Sequence, residues 1–330
     1  MTREIGSAFS FASRWPLRAR LAPLAFALVP FLAWPDAAGA AQTAEQGAQA
    51  DPSELRICAA ANELPYSNRD EAGFENKIAK TIADAMGRKA RFVWLDKPGI
   101  YIVRDLLNQK RCDVVVGLDT GDQRVLTTRP YFRTGYVFVQ RKNASLKIDG
   151  WRSPDLRKAR NIGFVDGSPP SVMMNEIDLY NTHFNYMKSL VNFKSRRNQY
   201  IRVDPRRMVG EVANGKADVA VAFAPEVARY VAGNADVALT VIADDNKRSD
   251  GKHVPHHFNQ SMGVRKGDTA LLSELNKAID ASWPQIEAVL KAEGIPMLKI
   301  TKASRAEAPA AGEATHRRAD RPSSKRTGRD

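Results

Sequence analysis

Residues 111–124 read Arg-Cys-Asp-Val-Val-Val-Gly-Leu-Asp-Thr-Gly-Asp-Gln-Arg and contain the most informative pattern of the sequence. The apolar run from Val114 to Leu118, broken only by Gly117, predicts a parallel strand that is covered on both faces. In open α/β sheets, ligands bind beyond the carboxyl ends of the strands. The sequence therefore places Arg124, just past this strand, where a guanidinium could bind an anion.

The chain on either side of this run alternates between strand and helix patterns. Strands and helices are predicted in turn at 55–60, 73–87, 90–95 and 100–109, and a second α/β unit follows with strands at 161–165 and 218–223. This order predicts parallel sheets with right-handed connections. Extended runs at 131–141 and 260–267 connect the two units, and a closing helical region spans 269–293 with a kink at Pro284.

We therefore predict an α/β fold of two lobes, each an α/β domain, joined by two crossing strands with a cleft between them. The first lobe comprises residues 55–138 plus 262–300, and the second comprises 139–261. Residues 301–330 are rich in Ala, Pro, Ser and basic side chains, which predicts a disordered basic tail.

The N-terminal residues have the pattern of a secretory signal peptide. A basic start is followed by the apolar stretch 21–34 and by the small residues Ala38-Gly-Ala40. We expect residues 1–40 to be removed near Ala40, leaving a polar leader at 41–54 and a mature protein in the periplasm. No later stretch of the sequence is long and apolar enough to predict a membrane span.

The composition is basic, with 50 Lys and Arg against 37 Asp and Glu and a formal net charge of +13. In an exported protein, this surplus indicates acidic protein partners or anionic envelope surfaces. The sequence contains no nucleic-acid-binding motif, so nucleic acid is not an expected partner.

The two cysteines, Cys58 and Cys112, are predicted to form a disulfide, because an even pair in an oxidising compartment is usually bonded. They lie at the end of one predicted strand and the start of another. Two buried free thiols remain the alternative, because a bridge between adjacent parallel strands strains the preferred geometry. No CxxC spacing indicates zinc, and the histidines of the stretch His253-Val-Pro-His256-His257 are interpreted as a surface loop.

Several motifs together resemble a known family. They are the helix start Gly73-Phe-Glu75, the turn Gly215-Lys-Ala-Asp218 and the return Val264-Arg-Lys-Gly-Asp268. On these motifs, residues 55 to about 296 are similar to the type II periplasmic solute-binding proteins of the amino-acid class. The stretches 58–68 and 111–117 more narrowly resemble a branch that accompanies quinoprotein alcohol dehydrogenases in methylotrophic bacteria.

The resemblance implies a ligand site but also departs from it. In family members, an arginine at the Arg124 position holds the ligand carboxylate, and a Ser or Thr usually stands three residues earlier, where this chain has Gly121. An acid that holds the ligand ammonium is replaced here by Phe223, which puts an α-amino acid ligand in doubt. Arg124 could instead pair with Asp119 or Asp122. The candidate cleft residues are Tyr66, Asp119, Thr120, Arg124, Asp166, Ser168 and Phe223.

The branch implies that the chain assists the assembly or activation of methanol dehydrogenase, a pyrroloquinoline quinone enzyme. The expected partner is this dehydrogenase or its subunits. We expect no cofactor or metal in this chain itself. The alternative is a substrate-binding receptor of an ABC transporter for a small organic acid. An enzyme is a third possibility, since cyclohexadienyl dehydratases share the fold, but the spacing of the acids shows no convincing acid–base pair.

The segment 173–205 is longer than the corresponding connection in family members and is basic and aromatic. Aromatic and arginine side chains are typical of interface anchors. The candidate partner-contact residues are Tyr180, Phe184, Tyr186, Phe193, Arg196, Arg197 and Tyr200. The alternative is that this segment packs on its own lobe.

Overall fold

The computed structural model describes residues 51–191 and 203–300. The predicted signal peptide, most of the leader and the predicted tail from residue 301 lie outside these ranges. No helix within them is long and apolar enough to cross a membrane.

The described chain alternates strands and helices much as the sequence predicts. The strands are β1 (Glu54–Ala60), β2 (Asn62–Glu63), β3 (Ser67–Asn68), β4 (Lys89–Leu95), β5 (Val114–Asp119), β6 (Leu126–Thr127), β7 (Phe132–Arg141), β8 (Ile162–Gly163), β9 (Val219–Phe223), β10 (Val237–Val241) and β11 (His257–Val264). The helices are α1 (Phe74–Ala85), α2 (Pro169–Glu176), α3 (Tyr180–Ser189), α4 (Pro205–Ala213), α5 (Ala224–Ala232), α6 (Thr269–Ala281) and α7 (Trp283–Ala292). Short 3₁₀ helices occupy Gly99–Tyr101 and Pro154–Lys158, and a π-helical turn occupies Val103–Leu107.

The main sheet has the strand order β4-β1-β5-β11-β7-β9-β8, with β6 also paired to β11 and β10 to β7. Strand β1 is parallel to β4 and β5, and β8 is parallel to β9. The long strand β7 pairs with β11 up to Gly135 and with β9 from Tyr136 onward. Strand β7 therefore passes from one part of the sheet to the other.

Apolar residues form a core on each side of this passage. The first lobe packs α1, α6 and α7 on β1, β5 and β11 around residues such as Phe74, Ile78 and Leu275. The second lobe packs α2–α5 on β7, β8 and β9 around Phe138 and Val221 in particular. The lobe boundaries at 138/139 and 261/262 stay a prediction.

Helix α1 shows why the local sequence folds this way. Its buried positions Phe74, Ile78 and Ile82 recur every four residues and form one apolar face. Gly87 follows the helix with φ of 65°, a left-handed conformation that glycine adopts without steric cost. The face therefore packs against the sheet, and the chain turns sharply into β4.

The two cysteines form a disulfide, as predicted, with a Cα–Cα distance of 5.4 Å. Strand β1 lies between β4 and β5, with Cys58 opposite Val115, and Cys112 lies just before β5. The bridge therefore ties β1 to the entry of the strand that leads to Arg124. The alternative of two free thiols is wrong.

Two predicted helices differ locally from the structure. The region predicted as one helix at 100–109 contains a wider turn, in which the amides of Asn108 and Arg111 bond the carbonyls five residues earlier. The closing helical region divides at Ser282 into α6 and α7. Pro284 lies in the first turn of α7, where its missing N–H breaks no helical hydrogen bond.

Candidate functional site

A cavity of about 290 Å³, which we call the inner cavity, opens at the carboxyl end of β5. Four of the predicted cleft residues line it: Tyr66, Asp119, Arg124 and Phe223. Because β5 ends there and β9 ends opposite, the cavity occupies the position predicted from the strand order.

The other three predicted cleft residues face different partners. The Thr120 hydroxyl lies 2.6 Å from the hydroxyl of Ser261. The Asp166 carboxylate accepts a hydrogen bond from the Tyr180 hydroxyl at 2.9 Å, and the Ser168 hydroxyl donates to the Val165 carbonyl at 2.5 Å. None of the three is among the residues that line the inner cavity.

Arg124 is paired within the chain. Its Nη2 lies 2.5 Å from Asp122 Oδ2, its Nε donates to Asp122 Oδ1 at 3.0 Å, and its Nη1 donates to the Ile100 carbonyl at 3.4 Å. Burial would raise the pKa of Asp122, but the hydrogen bonds and charge of Arg124 outweigh it and leave that pKa below its ordinary value. The guanidinium side chain is still 52% exposed, so an incoming anion would have to compete with Asp122.

Asp119 is the next acid on the cavity wall. Solvent reaches the residue, but the surrounding protein desolvates its carboxyl and raises its pKa. The Gln260 side-chain amide donates to its Oδ1 at 2.7 Å, which opposes that rise without cancelling it. The carboxyl is therefore held in place at the strand end, close to the Asp122–Arg124 pair.

Phe223 closes the far side of the cavity with an aromatic cluster. Its ring centroid lies 5.3 Å from that of Tyr136 and 6.1 Å from that of Phe258. Burial raises the pKa of Tyr136 above its ordinary value, with smaller contributions from Glu226 and Asp119, so its hydroxyl stays protonated. At the position where family members are expected to present an acid, this chain presents a neutral ring.

Glu75 reaches the cavity through a close contact with β5. A Cβ atom built on Gly117 would lie 1.8 Å from Glu75 Oε1, so the glycine is what allows the carboxylate to approach the strand. Gly117 has φ of 76°, a conformation that also favours glycine. The sequence pattern marks Gly117 only as a break in an apolar run, and it gives no sign of this contact.

A second cavity of about 630 Å³, which we call the outer cavity, adjoins the first and shares Glu63 and Tyr66 with it. Its other walls include Pro98, Arg229 and Tyr230. Glu63 accepts a hydrogen bond from the Gly99 amide at 2.8 Å and so joins β2 to the 3₁₀ helix at Gly99–Tyr101. Sequence reasoning missed Glu63, Ile100 and Gln260 as wall residues, because they come from three separate elements, β2, the 3₁₀ helix at Gly99–Tyr101 and β11, without a local motif.

The histidine loop is more buried than its sequence indicates. The His256 ring is fully buried: its Nε2 accepts from the Trp151 indole N–H at 3.0 Å and its Nδ1 lies 2.8 Å from the Val254 carbonyl. His253 and His257 each place Nε2 2.7 Å from a backbone carbonyl. The interpretation as a surface loop is therefore wrong for His256. Across 51–191 and 203–300, no group of three or more His, Cys, Asp or Glu could hold a metal ion.

The predicted partner-contact residues fall into two sets. In α3, the tilted rings of Tyr180 and Phe184 pack with their centroids 5.5 Å apart, and the Tyr186 hydroxyl donates to Glu211 at 2.8 Å. Burial, followed by the hydrogen bond to Asp166, raises the pKa of Tyr180 to about 12. These three side chains make contacts within their own lobe. Phe193, Arg196, Arg197 and Tyr200 lie outside the described residues.

The cavities at the strand ends between two α/β lobes are those of a solute-binding protein, and sequence relatives agree. The sequence profile of the bacterial extracellular solute-binding proteins, family 3, matches residues 55–285. The chain is 49% identical over 263 residues to protein MoxJ of Methylorubrum extorquens, covering 79% of this chain and 87% of the relative. It is 42% identical over 263 residues to protein MoxJ of Paracoccus denitrificans, covering 79% of this chain and 95% of that protein.

Solved structures show the same relationship. The crystal structure of MxaJ from Methlophaga aminisulfidivorans MPT matches with a TM-score of 0.71 and 47% identity, covering 74% of this chain and all of that one. The periplasmic binding protein XoxJ from Methylobacterium extorquens AM1 matches with a TM-score of 0.55 and 26% identity over 74% of this chain and 100% of its own.

The chain therefore belongs to the bacterial extracellular solute-binding proteins of family 3. The predicted type II periplasmic binding fold is confirmed, and so is the predicted branch, that of MoxJ and MxaJ. The individual cleft and contact residues stay predictions.

Proposed function

We propose that the protein is an exported accessory protein of methanol oxidation that assists the assembly or activation of a quinoprotein methanol dehydrogenase. It acts through protein contact and catalyses no reaction itself. The proposal is supported by the similarity to the MoxJ and MxaJ proteins along most of the folded chain. It is supported further by a cleft that is poorly suited to the ligand class of the wider family.

The observation that carries the proposal is the chemistry of the inner cavity. An α-amino acid needs a cation for its carboxylate and an acid for its ammonium group. Here the guanidinium of Arg124 is bonded to Asp122, and Phe223 packs into an aromatic cluster. Binding an amino acid would therefore break an internal ion pair, and the ammonium group would meet a neutral ring at the position of the family's acid.

The test is binding of the mature protein, beginning at Ala41, to methanol dehydrogenase in its apo and cofactor-loaded forms. Calorimetry at low salt and at about 0.15 M salt separates the part of the affinity that depends on long-range charge attraction from the part that does not. Preferential binding to the apo form, at micromolar affinity or tighter, is expected. Absence of binding to both forms would overturn the proposal and favour a transport receptor.

A pair of variants locates the contact. Arg196→Ala/Arg197→Ala removes two predicted contact residues and is expected to weaken binding. Arg152→Ala/Arg157→Ala removes the same charge from exposed positions elsewhere on the second lobe and is the matched control. Equal weakening by both pairs would indicate a general charge effect and contradict a contact at 173–205.

The second candidate is a receptor that delivers a small organic acid to an ABC transporter. It is favoured by the size of the inner cavity, about 290 Å³, and by the half-exposed side chain of Arg124. A thermal-shift screen of small carboxylates tests it. Stabilisation that disappears in Arg124→Gln would support a receptor, whereas no shift with any carboxylate would leave the accessory role.

Both functions require export to the periplasm. N-terminal sequencing of the protein from a periplasmic fraction is expected to begin near Ala41. Recovery of the uncleaved chain from the membrane fraction would contradict this localisation.

A further inference from the structure

The chain segment that follows α7 crosses from one lobe to the other. Residues 293–298, which we call the C-terminal strap, leave α7 and run over α5. A Cβ atom built on Gly294 would lie 3.0 Å from the Ala232 Cβ and 3.4 Å from the Ala228 carbonyl oxygen, so the strap contacts α5 closely. Ile295 of the strap and Ala228 of α5 are both buried in the core of the first lobe.

Glu293, the first residue of the strap, is the centre of an ion-pair cluster that joins both lobes. Its side chain is only 5% exposed and accepts hydrogen bonds on both oxygens from the Arg229 guanidinium of α5. Lys77 of α1 donates to Oε1 at 3.1 Å, and Arg229 also donates to the Ala72 carbonyl at 3.0 Å. Burial would raise the pKa of Glu293, but the hydrogen bonds from Arg229 and Lys77 outweigh it and lower that pKa, so the carboxyl stays ionised.

The other end of the strap is fixed to the crossing strand. The Thr134 hydroxyl donates to the Pro296 carbonyl at 2.8 Å, and the Leu298 amide donates to the Arg133 carbonyl at 2.7 Å. These β7 residues lie directly before Gly135 and Tyr136, where the pairing of β7 changes from β11 to β9. The strap therefore spans the point at which the two lobes would have to bend.

The second crossing between the lobes, which enters β11 at His257, is fixed near the same part of β7. Asp244 Oδ1 accepts the backbone amides of His256 and His257 at 2.5 and 3.2 Å, and its Oδ2 lies 3.4 Å from the Arg133 guanidinium. A Cβ atom on Gly135 would lie 2.8 Å from the His256 carbonyl oxygen, so the two crossings are in direct contact. Rotation about β7 would disturb these bonds as well.

We propose that the strap and the Glu293 cluster hold the two lobes at one fixed angle, so that the cleft is a rigid, preformed surface. Opening would separate α5 from α1 and α7, and would leave a buried carboxylate and a guanidinium without their partners. Such a loss is costly, because uncompensated buried charge is strongly destabilising. The proposal goes beyond the proposed function, since a partner protein or a solute could bind either a rigid or a moving cleft.

The test is the distance between the lobes, measured by pulsed dipolar spectroscopy on the full mature chain. Spin labels at Asp84→Cys on α1 and Arg157→Cys on the second lobe occupy exposed positions. We expect one narrow distance distribution that does not change on adding a mixture of amino acids and small carboxylates. A broad or two-component distribution, or a shift on adding these solutes, would overturn the proposal.

Variants of the Glu293 cluster then test whether this cluster causes the rigidity. Arg229→Met and Glu293→Gln are expected to add a second distance component that the parent lacks. The matched control is Arg88→Met, which removes the 2.7 Å pair of Arg88, in the turn after α1, with Glu274 of α6 in the same lobe and should leave the distribution narrow. Lys77→Met removes the more exposed arm of the cluster and is expected to fold even if the other two do not.

An unchanged distribution in every variant that folds would overturn the role of the cluster. This measurement uses no dehydrogenase, so its outcome is separate from the binding test of the proposed function.

Discussion

Phe223 and Arg124 define what the inner cavity can accept. The family's arginine is present, but Asp122 occupies it, and the expected acid is a phenylalanine in contact with Tyr136. The sequence, compared with the family, predicts the phenylalanine but not its contact with Tyr136. For the arginine it leaves two possibilities open, because a guanidinium two residues from an aspartate can face a ligand or that aspartate, and only the folded loop decides between them.

Asp122→Asn is expected to free the guanidinium of Arg124 and to increase the affinity of the mature protein for a small carboxylate such as acetate. A hydrogen bond to a charged group contributes about 1.5–3 kcal/mol, so affinity should rise by about tenfold or more. Isothermal titration calorimetry measures the change. Asp105→Asn, which breaks the similar pairing with Arg104 away from the inner cavity, is the control and should leave affinity unchanged. Equal affinities of parent and Asp122→Asn would contradict the internal pairing.

His256 predicts a pH dependence of stability. Its Nε2 accepts from Trp151, whose indole can only donate, so the folded ring is neutral with its proton on Nδ1. Burial lowers the pKa of the ring in the folded state. Below the unfolded value of about 6.5, the unfolded chain takes up a proton that the folded chain does not, so stability falls as the pH decreases.

The expected loss is up to about 1.4 kcal/mol per pH unit within this window. Urea unfolding between pH about 7.5 and about 5 measures it. His183 is also buried with a lowered pKa and contributes in the same direction, so His256→Phe should reduce the slope without abolishing it. A variant that keeps the full parental slope would show that His256 does not titrate in this way.

At the scale of elements, hydrophobic periodicity predicts those helices and strands that bury one regular apolar face. Helix α1 and strands β5 and β9 are found because each buries an apolar pattern with the period of its own structure. The turn at Val103–Leu107 is not found, because a π-helical turn buries Val103, Leu106 and Leu107 in a spacing that an α-helix also permits. Local pattern cannot distinguish the two geometries.

The contact between β5 and α1 yields the next prediction. Gly117→Ala would place a methyl group on Glu75 and would also strain a residue with φ of 76°. Gly87→Ala has a similar φ of 65° but meets nothing within 4 Å, so it isolates the backbone term. We expect a loss of about 1–2 kcal/mol for Gly87→Ala and about 1–3 kcal/mol more for Gly117→Ala.

A double-mutant cycle separates the steric part of this loss. Gly117→Ala in a Glu75→Ala background should cost no more than Gly87→Ala, because the carboxylate that the methyl group meets has been removed. Chemical denaturation of the four proteins in the cycle measures the coupling. Additive losses would contradict a direct contact between Glu75 and position 117.

At the scale of the whole molecule, the position of the site is predictable, but its walls are less so. The strand order places a cleft at the end of β5, and Tyr66, Asp119, Arg124 and Phe223 are found there. Gln260 of β11 and Glu63 of β2 are distant from β5 in the sequence and reach the wall only through tertiary pairing. Asp166 and Ser168 are expected in the cleft because their turn precedes a predicted helix start that could bind an anion, whereas their own loop and α3 satisfy their hydrogen bonds.

Net charge gives the last prediction, which belongs to the molecule as a whole. Residues 1–40 contribute +2 to the formal charge of +13, so the mature protein carries about +11. This charge should attract an acidic partner over distances that salt shortens, since the screening length falls from about 30 Å at 0.01 M to about 8 Å at 0.15 M. We expect the association rate with methanol dehydrogenase, measured by stopped-flow fluorescence, to fall about tenfold or more across this range. The dissociation rate should change much less.

Variants test the same idea at low salt. Lys142, Lys216 and Lys266 are exposed, so replacing all three by Gln should lower the association rate, whereas replacing them by Arg keeps the charge and should preserve that rate. A rate that is independent of salt, or equal losses in the Gln and Arg variants, would mean that charge does not guide the encounter.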